Sequence, residues 1–350
     1  MVARVSKATM APGTTINDRY VLNAKLGTDG EVYEAHDRHL NRTVALKLLP
    51  PGGGSQPWDE ARRLEQLRST FIVPVLNADI DRDSDIRFIA TDLIPDGDLE
   101  ADARPHGLSL ASAVRFSREI AAGIDTIHRW GMIHRDIKPA NALRRGDSVL
   151  VSDVAKCILL DRDGKAPRDG SWCTLAPEAA PDDGYCSLAS DVYSLAATTF
   201  YLLSGEYPVD HRLDPRLQQQ RLSSGTLRDI AGLAPHVPRA IVTVVRRGLS
   251  VDPGARHPTP TIYGNALATA LGDRRDWRRV AHQGHAFCAE SPASKQRKAI
   301  GVCAENSSPG KIEMRAFHLV SGRAITGVAA KSTTLVKGIP ALRSLFSALN

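Results

Sequence analysis

The chain contains no run approaching the roughly 18 consecutive apolar residues that a membrane-crossing helix needs, and no span is expected. Its opening stretch, MVARVSKATMAPGTT, carries charge but no continuous apolar core, so a secretory signal is not expected either. Cysteine is scarce. Five residues, an odd number at irregular spacing, form no disulfide framework and fit a reducing cytoplasm. There is no internal repeat. What is present is an ordinary globular composition, 42% hydrophobic and 24% charged, over 350 residues, enough for about two or three domains with a substantial core.

The net charge of +6 is unevenly placed. Residues 272–350 hold thirteen Lys and Arg against five Asp and Glu, so this segment is strongly basic and the rest of the chain slightly acidic. An electrostatic partner, if any, belongs at the carboxy-terminal end, where an acidic protein or an anionic lipid competes with the plainer reading of a solvated basic face. That end lacks interleaved aromatics and any nucleic-acid-binding pattern, so specific nucleic-acid recognition is not expected.

Along the chain, residues 1–17 are rich in Ser, Thr, Ala, Pro and Gly and read as a flexible tail. Short β-like runs follow: YVLNAKL, EVYEA, TVALKLL, IVPVLNADI and IRFIATDLI. Between the third and fourth, PPGGGSQP is a loop and residues 58–67 have helical spacing at Ala61, Leu64 and Leu67. After Pro95-Asp96-Gly97 the texture turns helical, with apolar or amphipathic stretches at 109–130, 189–204 and 237–249. A β-rich part followed by a helical part predicts two lobes in one α+β unit.

The anchor of the functional argument is His134-Arg135-Asp136-Ile137-Lys138-Pro139-Ala140-Asn141, set between an apolar helix and the strand-like Ser148-Val149-Leu150-Val151. Through these residues, about positions 18–271 resemble the bacterial (Hanks-type) serine/threonine protein kinases. The resemblance implies a bilobal kinase fold, with an N-lobe over about 18–94 and a C-lobe over about 95–271. It also implies phosphoryl transfer from ATP, with Mg²⁺ (or Mn²⁺ in its place), to protein substrates. Asp136 would orient the acceptor hydroxyl or take its proton, and Lys138 would stabilise the transferring group. Lys138 also argues for Ser/Thr over Tyr acceptors. Asn141 and Asp153 would be the metal ligands. Lys47 would hold the α/β-phosphates, fixed by an ion pair with Glu60. Leu26, Val32, Ala45 and Leu143 would sandwich the adenine, Asp92 and Leu93 would offer hinge backbone groups, and Thr91 would be the gatekeeper. Glu178 of Ala176-Pro177-Glu178 would pair with buried Arg256, and Asp191 would anchor the catalytic loop. This last set speaks for a protein substrate rather than a small metabolite.

Three departures from the pattern stand out. The glycine loop keeps only Gly27 and Gly30 and is short, and Asp29 adds negative charge where phosphates would lie. Phe and Gly are missing from Asp153-Val154-Ala155, which thins a stack built from Leu64, Val75, His134 and Val154. Residues 154–170 contain no Ser, Thr or Tyr. Because Arg135 precedes Asp136, Asp161 or Asp163 is expected to supply fixed negative charge to Arg135, and Ser171 and Thr174 are the remaining candidate phosphosites. Ser171 occupies a position whose hydroxyl normally contacts the catalytic Asp and Lys. The acids Asp98, Glu100 and Asp102 hint at basic residues before the acceptor.

Residues 272–350 carry no motif that points to a particular family. Runs AIGVCAE, KIEMRAFHLV and AITGVAA, then an amphipathic LVKGIPALRSLFSAL, predict a small α+β module of one sheet and one helix. His282, His285, Cys288 and Cys303 could together bind zinc, although their spacing matches no strong pattern and plain burial of thiols competes. The leading expectation for the whole is an active kinase. The alternative is a pseudokinase serving as a nucleotide-binding scaffold, for which the short glycine loop and the altered Asp153-Val154-Ala155 speak.

Overall fold

A computed structural model describes residues 10–27, 30–49, 67–328 and 331–350 of the protein. The amino-terminal lobe is one antiparallel sheet of β1 (Thr15–Ile16), β2 (Tyr20–Lys25), β3 (Val32–Asp37), β4 (Arg42–Leu49), β5 (Val75–Asp81) and β6 (Ile86–Asp92), in the order β1-β2-β3-β4-β6-β5. Its strands alternate. In β4, Val44, Leu46 and Leu48 enter a core with Tyr20, Leu22, Tyr33 and Phe88, so Ala45 and Lys47 must face the other way. Register then places Lys47 beside Ile89 and Val32, and Ala45 beside Thr91, along the face turned to the second lobe.

Residues 10–17, expected as part of a flexible tail, instead join this sheet. Ile16 is buried beside Tyr20 as the edge strand β1, and the Met10 amide donates to the Tyr33 hydroxyl at 3.0 Å. One β-branched apolar residue between polar neighbours is enough to pin a strand when a groove awaits it. The helix expected over 58–67, with Glu60 and Leu64, lies outside the described residues but for its last position, as do Thr28 and Asp29.

The second lobe is helical: α1 (Leu99–Ala103), α2 (Leu110–Arg129), α3 (Leu188–Ser204), α4 (Pro215–Ser224), α5 (Ile230–Leu233), α6 (Arg239–Gly248) and α7 (Pro260–Leu271). Three two-stranded ladders connect them, β7 (Met132–Ile133) with β10 (Ile158–Leu159), β8 (Ala142–Arg145) with β9 (Ser148–Val151), and β11 (Ala166–Pro167) with β12 (Tyr185–Cys186). The α6 helix buries Ile241, Val242 and Val245 and turns Arg246 and Arg247 outward, each aliphatic side chain contributing about 1.5–3 kcal/mol. By contrast α3 is buried on every side from Ser190 to Ser204. Its hydroxyls avoid a desolvation penalty by donating one turn back, Thr198 to Ser194 and Thr199 to Leu195, both at 2.9 Å. Gly123 on α2 lets the backbone of Phe71 pass: a Cβ there would lie 2.7 Å from its carbonyl oxygen.

The last segment forms a five-stranded antiparallel sheet in sequence order, β13 (Arg278–Val280), β14 (His285–Ser291), β15 (Ile300–Ser308), β16 (Lys311–His318) and β17 (Lys331–Thr334), followed by α8 (Leu335–Leu349). The run expected as a strand over 324–330 is not one in its described part: Ala324 makes a single bridge to Phe317, and the chain bends before β17. Phe287, Ala289, Val302, Ala304, Met314 and Ala316 line one face and share a continuous core with Trp277, Phe346 and the helical lobe. The joint is also polar. Carbonyl and carboxylate oxygens of Trp277 and Asp276 accept the Leu110 and Ala111 amides at 3.0 and 2.8 Å, satisfying two of the N–H groups that the start of α2 leaves free. His236 is buried at this joint between Phe287 and Phe346; burial pushes it down to about 3, so it stays neutral. Among the described residues no helix is long and apolar enough to cross a membrane.

Candidate active site

The segment from β7 to β8 carries His134 to Asn141. Its backbone is held in a conformation that side chains resist, with Arg135 at φ 70°. The buried Asp191 of α3 supplies the restraint. Its carboxylate accepts the His134 amide at 2.8 Å, the Arg135 amide at 3.0 Å, and a ring nitrogen of His128 at 2.8 Å. These contacts hold Asp191 below its ordinary range, although burial pushes the other way.

Asp136 is 1% exposed, and every side of its carboxylate is occupied. Oδ1 accepts both the amide (3.0 Å) and the hydroxyl (2.7 Å) of Ser171. The Asn141 amide donates to Oδ2 at 3.2 Å and to the Asp136 carbonyl at 2.8 Å. Lys138 lies 3.4 Å from Oδ2 and donates to the Ser171 hydroxyl at 2.9 Å. Burial would favour the neutral acid, but Lys138, Lys156 and the Ser171 hydroxyl overcome it and keep Asp136 ionised. Gly170 makes the approach of Ser171 feasible: it sits at φ 121°, and a Cβ would lie 2.4 Å from the Arg135 carbonyl oxygen.

Lys156 was not singled out from the sequence. A 3₁₀ turn over Val154–Lys156 swings its ammonium back to within 2.9 Å of Asp136 and 3.7 Å of Asp169. The signal available was a lysine directly after Asp153-Val154-Ala155. Asp153 itself adopts a left-handed conformation at φ 59°, which Asp tolerates better than most residues, and its carboxylate pairs with Lys47. Val154 packs with Ile72, Ile89, Met132 and, at the edge, Val75.

Leu26, Val32, Ala45, Thr91, Asp92 and Leu93 of the amino-terminal lobe are half-buried, as is Leu143 on β8, which bridges to Asp98. Leu26 donates its amide to the Val32 carbonyl at 2.7 Å, closing the β2–β3 turn, where Gly27 and Gly30 stand at φ 68° and 80°. Glu60 lies outside the described residues, so nothing follows for its pairing with Lys47.

Two expectations about the loop are corrected. Arg135 does not reach Asp161 or Asp163. Asp161 is used within its own turn, accepting the Asp163 and Lys165 amides at 2.9 and 2.8 Å, which leaves Asp163 exposed at the tip. Arg135 instead donates to the Lys156 and Pro167 carbonyls and lies 3.9 Å from Asp169. Thr174 is 1% exposed, out of reach of a modifying enzyme in this conformation. The three acids after the hinge are engaged at home: Asp98 caps α1, Glu100 pairs with Arg104, and Asp102 pairs with Arg144 at 3.2 Å. Glu178 and Arg256 meet in a buried bidentate pair, both bonds 2.7 Å, with Arg256 also donating to the Ser250 and Ala189 carbonyls.

Comparison with known proteins agrees with this geometry. The protein kinase domain family matches residues 20–264. Serine/threonine-protein kinase PknH of Mycobacterium bovis is 29% identical over 261 residues, covering 71% of this chain and 43% of that protein. For PknD of Mycobacterium tuberculosis the figures are 30% over 258 residues, 66% and 36%; for PknE of the same organism, 28% over 267 residues, 71% and 46%. The chain thus spans less than half the length of these curated relatives. With the bilobal α+β architecture, the Asp136 cluster and a family match over well above half its length, the chain belongs to the protein kinase domain family.

Proposed function

We propose that the chain is an ATP-dependent serine/threonine protein kinase. The observation that carries this reading is the convergence of Ser171, Lys138 and Asn141 on the ionised carboxylate of Asp136, with Asp153 and Lys47 facing the same cleft. Asp153 and Asn141 offer carboxylate and amide oxygens, the hard donors that Mg²⁺ takes and Mn²⁺ tolerates, and a cation already rests on Asp153 in the form of the Lys47 ammonium. Bound Mg²⁺-ATP would supply the γ-phosphoryl group.

The residues of the chain do the rest. Asp136, held below the usual carboxylate range, is a weak base; its task is to orient the acceptor hydroxyl and to take the proton late, as the phosphoryl group moves. Ser171 and Asn141 fix the rotamer of Asp136. Lys138 would neutralise charge on the transferring oxygens, and Lys47, now paired with Asp153, would hold the phosphates. Leu26, Val32, Ala45 and Leu143 would exclude water from the base, and backbone groups of Asp92 and Leu93 would bond its edge. A protein acceptor fits the Glu178–Arg256 pair, which braces the loop that such a substrate would contact.

A cytoplasmic site of action belongs to the same reading, from the ATP requirement and five free thiols. For the basic carboxy-terminal segment we infer an acidic partner, and the groove where α8 meets the helical lobe, lined by Arg239, Arg274, Arg297 and Arg343, is the surface offered. The test of the kinase reading is phosphoamino-acid analysis of mixed acceptor peptides after incubation with γ-labelled ATP and Mg²⁺. Label on phosphoserine and phosphothreonine is expected. Label on phosphotyrosine alone, or on no peptide, contradicts it.

A further inference from the structure

On the face of the carboxy-terminal sheet opposite the hydrophobic core, four side chains converge that play no part in phosphoryl transfer. Cys288 on β14 and Cys303 on β15 stand directly opposite each other in register. Both are 1% exposed, yet neither belongs to the core cluster that takes up Phe287, Ala289, Val302 and Ala304 from the same strands. Their sulfurs are 2.8 Å apart. His282 Nδ1 lies 3.3 Å from the Cys303 sulfur and His285 Nδ1 lies 3.1 Å from the Cys288 sulfur. All four donor atoms fall within 4.8 Å of one another.

Local backbone features build this cluster. Residues three apart on a strand point to opposite faces, so His285 and Cys288 would not meet on a regular β14. The register shifts between His285 and Phe287, and this bulge returns His285 to the side of Cys288. His282 arrives through the tight turn of His282-Gln283-Gly284-His285, in which the His285 amide donates to the His282 carbonyl and Gly284 stands at φ 79°.

The far nitrogens of the two imidazoles give an independent pointer. His282 Nε2 is 3.5 Å from Glu290, and His285 Nε2 is 3.3 Å from Glu305. Each ring thus turns one nitrogen to a sulfur and the other towards a carboxylate, the arrangement in which a carboxylate orients a metal-bound histidine. Tetrahedral zinc with about 2.3 Å bonds to sulfur and about 2.0–2.1 Å to nitrogen places its donors at spacings that this cluster meets with small side-chain movement.

We propose that His282, His285, Cys288 and Cys303 form a zinc site that clamps the β13–β14 turn to β15. Four protein donors fill a tetrahedron and leave no open position, so the site is structural. Binding takes one Zn²⁺, ionises both thiols and releases their protons to solvent. The N₂S₂ set is soft enough to prefer zinc over the Mg²⁺ of the kinase cleft.

The test uses the full chain without a histidine tag, purified after expression in zinc-supplemented medium and analysed by inductively coupled plasma mass spectrometry. About one zinc ion per chain is expected, falling at least about tenfold in Cys303→Ser. Because a buried thiol variant can misfold, His282→Ala and Glu305→Gln are measured beside it. His282 is exposed and Glu305 is not a ligand, and zinc affinity in a chelator competition should fall about 10–100-fold in each, with peptide phosphorylation unchanged. Cobalt in place of zinc should give thiolate-to-metal charge-transfer bands that Cys303→Ser loses. Wild-type protein that holds less than about a tenth of an equivalent of zinc overturns the proposal. So does an intact mass lighter by two hydrogens, which would mean that Cys288 and Cys303 are joined as a disulfide.

Discussion

Replacing Asp136 by Asn should lower the turnover of peptide phosphorylation by about 10²–10⁴-fold while leaving ATP affinity within a few-fold. The asymmetry follows from the contacts. An Asn side chain keeps one oxygen, which can still accept the Ser171 hydroxyl now bonded to Oδ1. At the Oδ2 position it presents an NH₂ group to the ammonium of Lys156, where the wild type presents a carboxylate at 2.9 Å. The substituted residue can neither take a proton nor balance Lys138 and Lys156. The Asp136 carboxylate is engaged by Ser171, Asn141, Lys138 and Lys156 rather than by Lys47 or the residues proposed to line the base, so the nucleotide should bind as before. Initial rates with a peptide acceptor and nucleotide titrations monitored by fluorescence read the two effects separately. A nucleotide-binding scaffold would transfer nothing in either form. Equal rates in the two proteins would remove Asp136 from the chemistry.

Glu178→Ala should destabilise the folded chain by about 3–5 kcal/mol. The guanidinium of Arg256 has no exposed side-chain surface, and Glu178 occupies both of its terminal nitrogens at 2.7 Å. Taking away the carboxylate leaves a cation with the Ser250, Ala189 and Val251 carbonyls and the face of Tyr193 for company, none of which carries charge. The Ser190 hydroxyl, which donates to Glu178 at 2.7 Å at the start of α3, loses its acceptor as well. Denaturant midpoints for the single variant and for Glu178→Leu combined with Arg256→Met measure the effect. The double variant should recover much of the loss, because no buried charge is then stranded. A single-variant loss below about 1 kcal/mol would mean that water reaches Arg256 and that the pair is a surface contact.

The architecture was legible wherever one face of an element is wet and the other dry. Alternation in β3 and β4 announced strands, and the apolar spacing from Leu110 to Ile127 announced α2. The site was legible through His134 to Asn141 and Asp153, because their spacing is set by chemistry rather than by packing. Other contacts were hidden by short-range backbone detail. Arg135 misses Asp163 because Asp161 closes its turn on itself, and Lys156 reaches Asp136 only because the chain tightens into a 3₁₀ turn after Asp153. Ile16 joined the sheet although its neighbours read as tail, since one buried side chain was sufficient. The histidine–cysteine cluster had the right residue types in the sequence, but its spacing makes sense only once the bulge in β14 is known.

The account rests on a single cleft in which dispersed polar groups are gathered around a metal-bound nucleotide. A crystal structure with a non-hydrolysable ATP analogue and Mg²⁺ tests this most directly. It should show the metal held by oxygens of Asp153 and Asn141, with the Lys47 ammonium transferred from Asp153 to the phosphates. Nucleotide absent from the cleft at saturating concentration, or Lys47 still locked on a metal-free Asp153, would contradict the account.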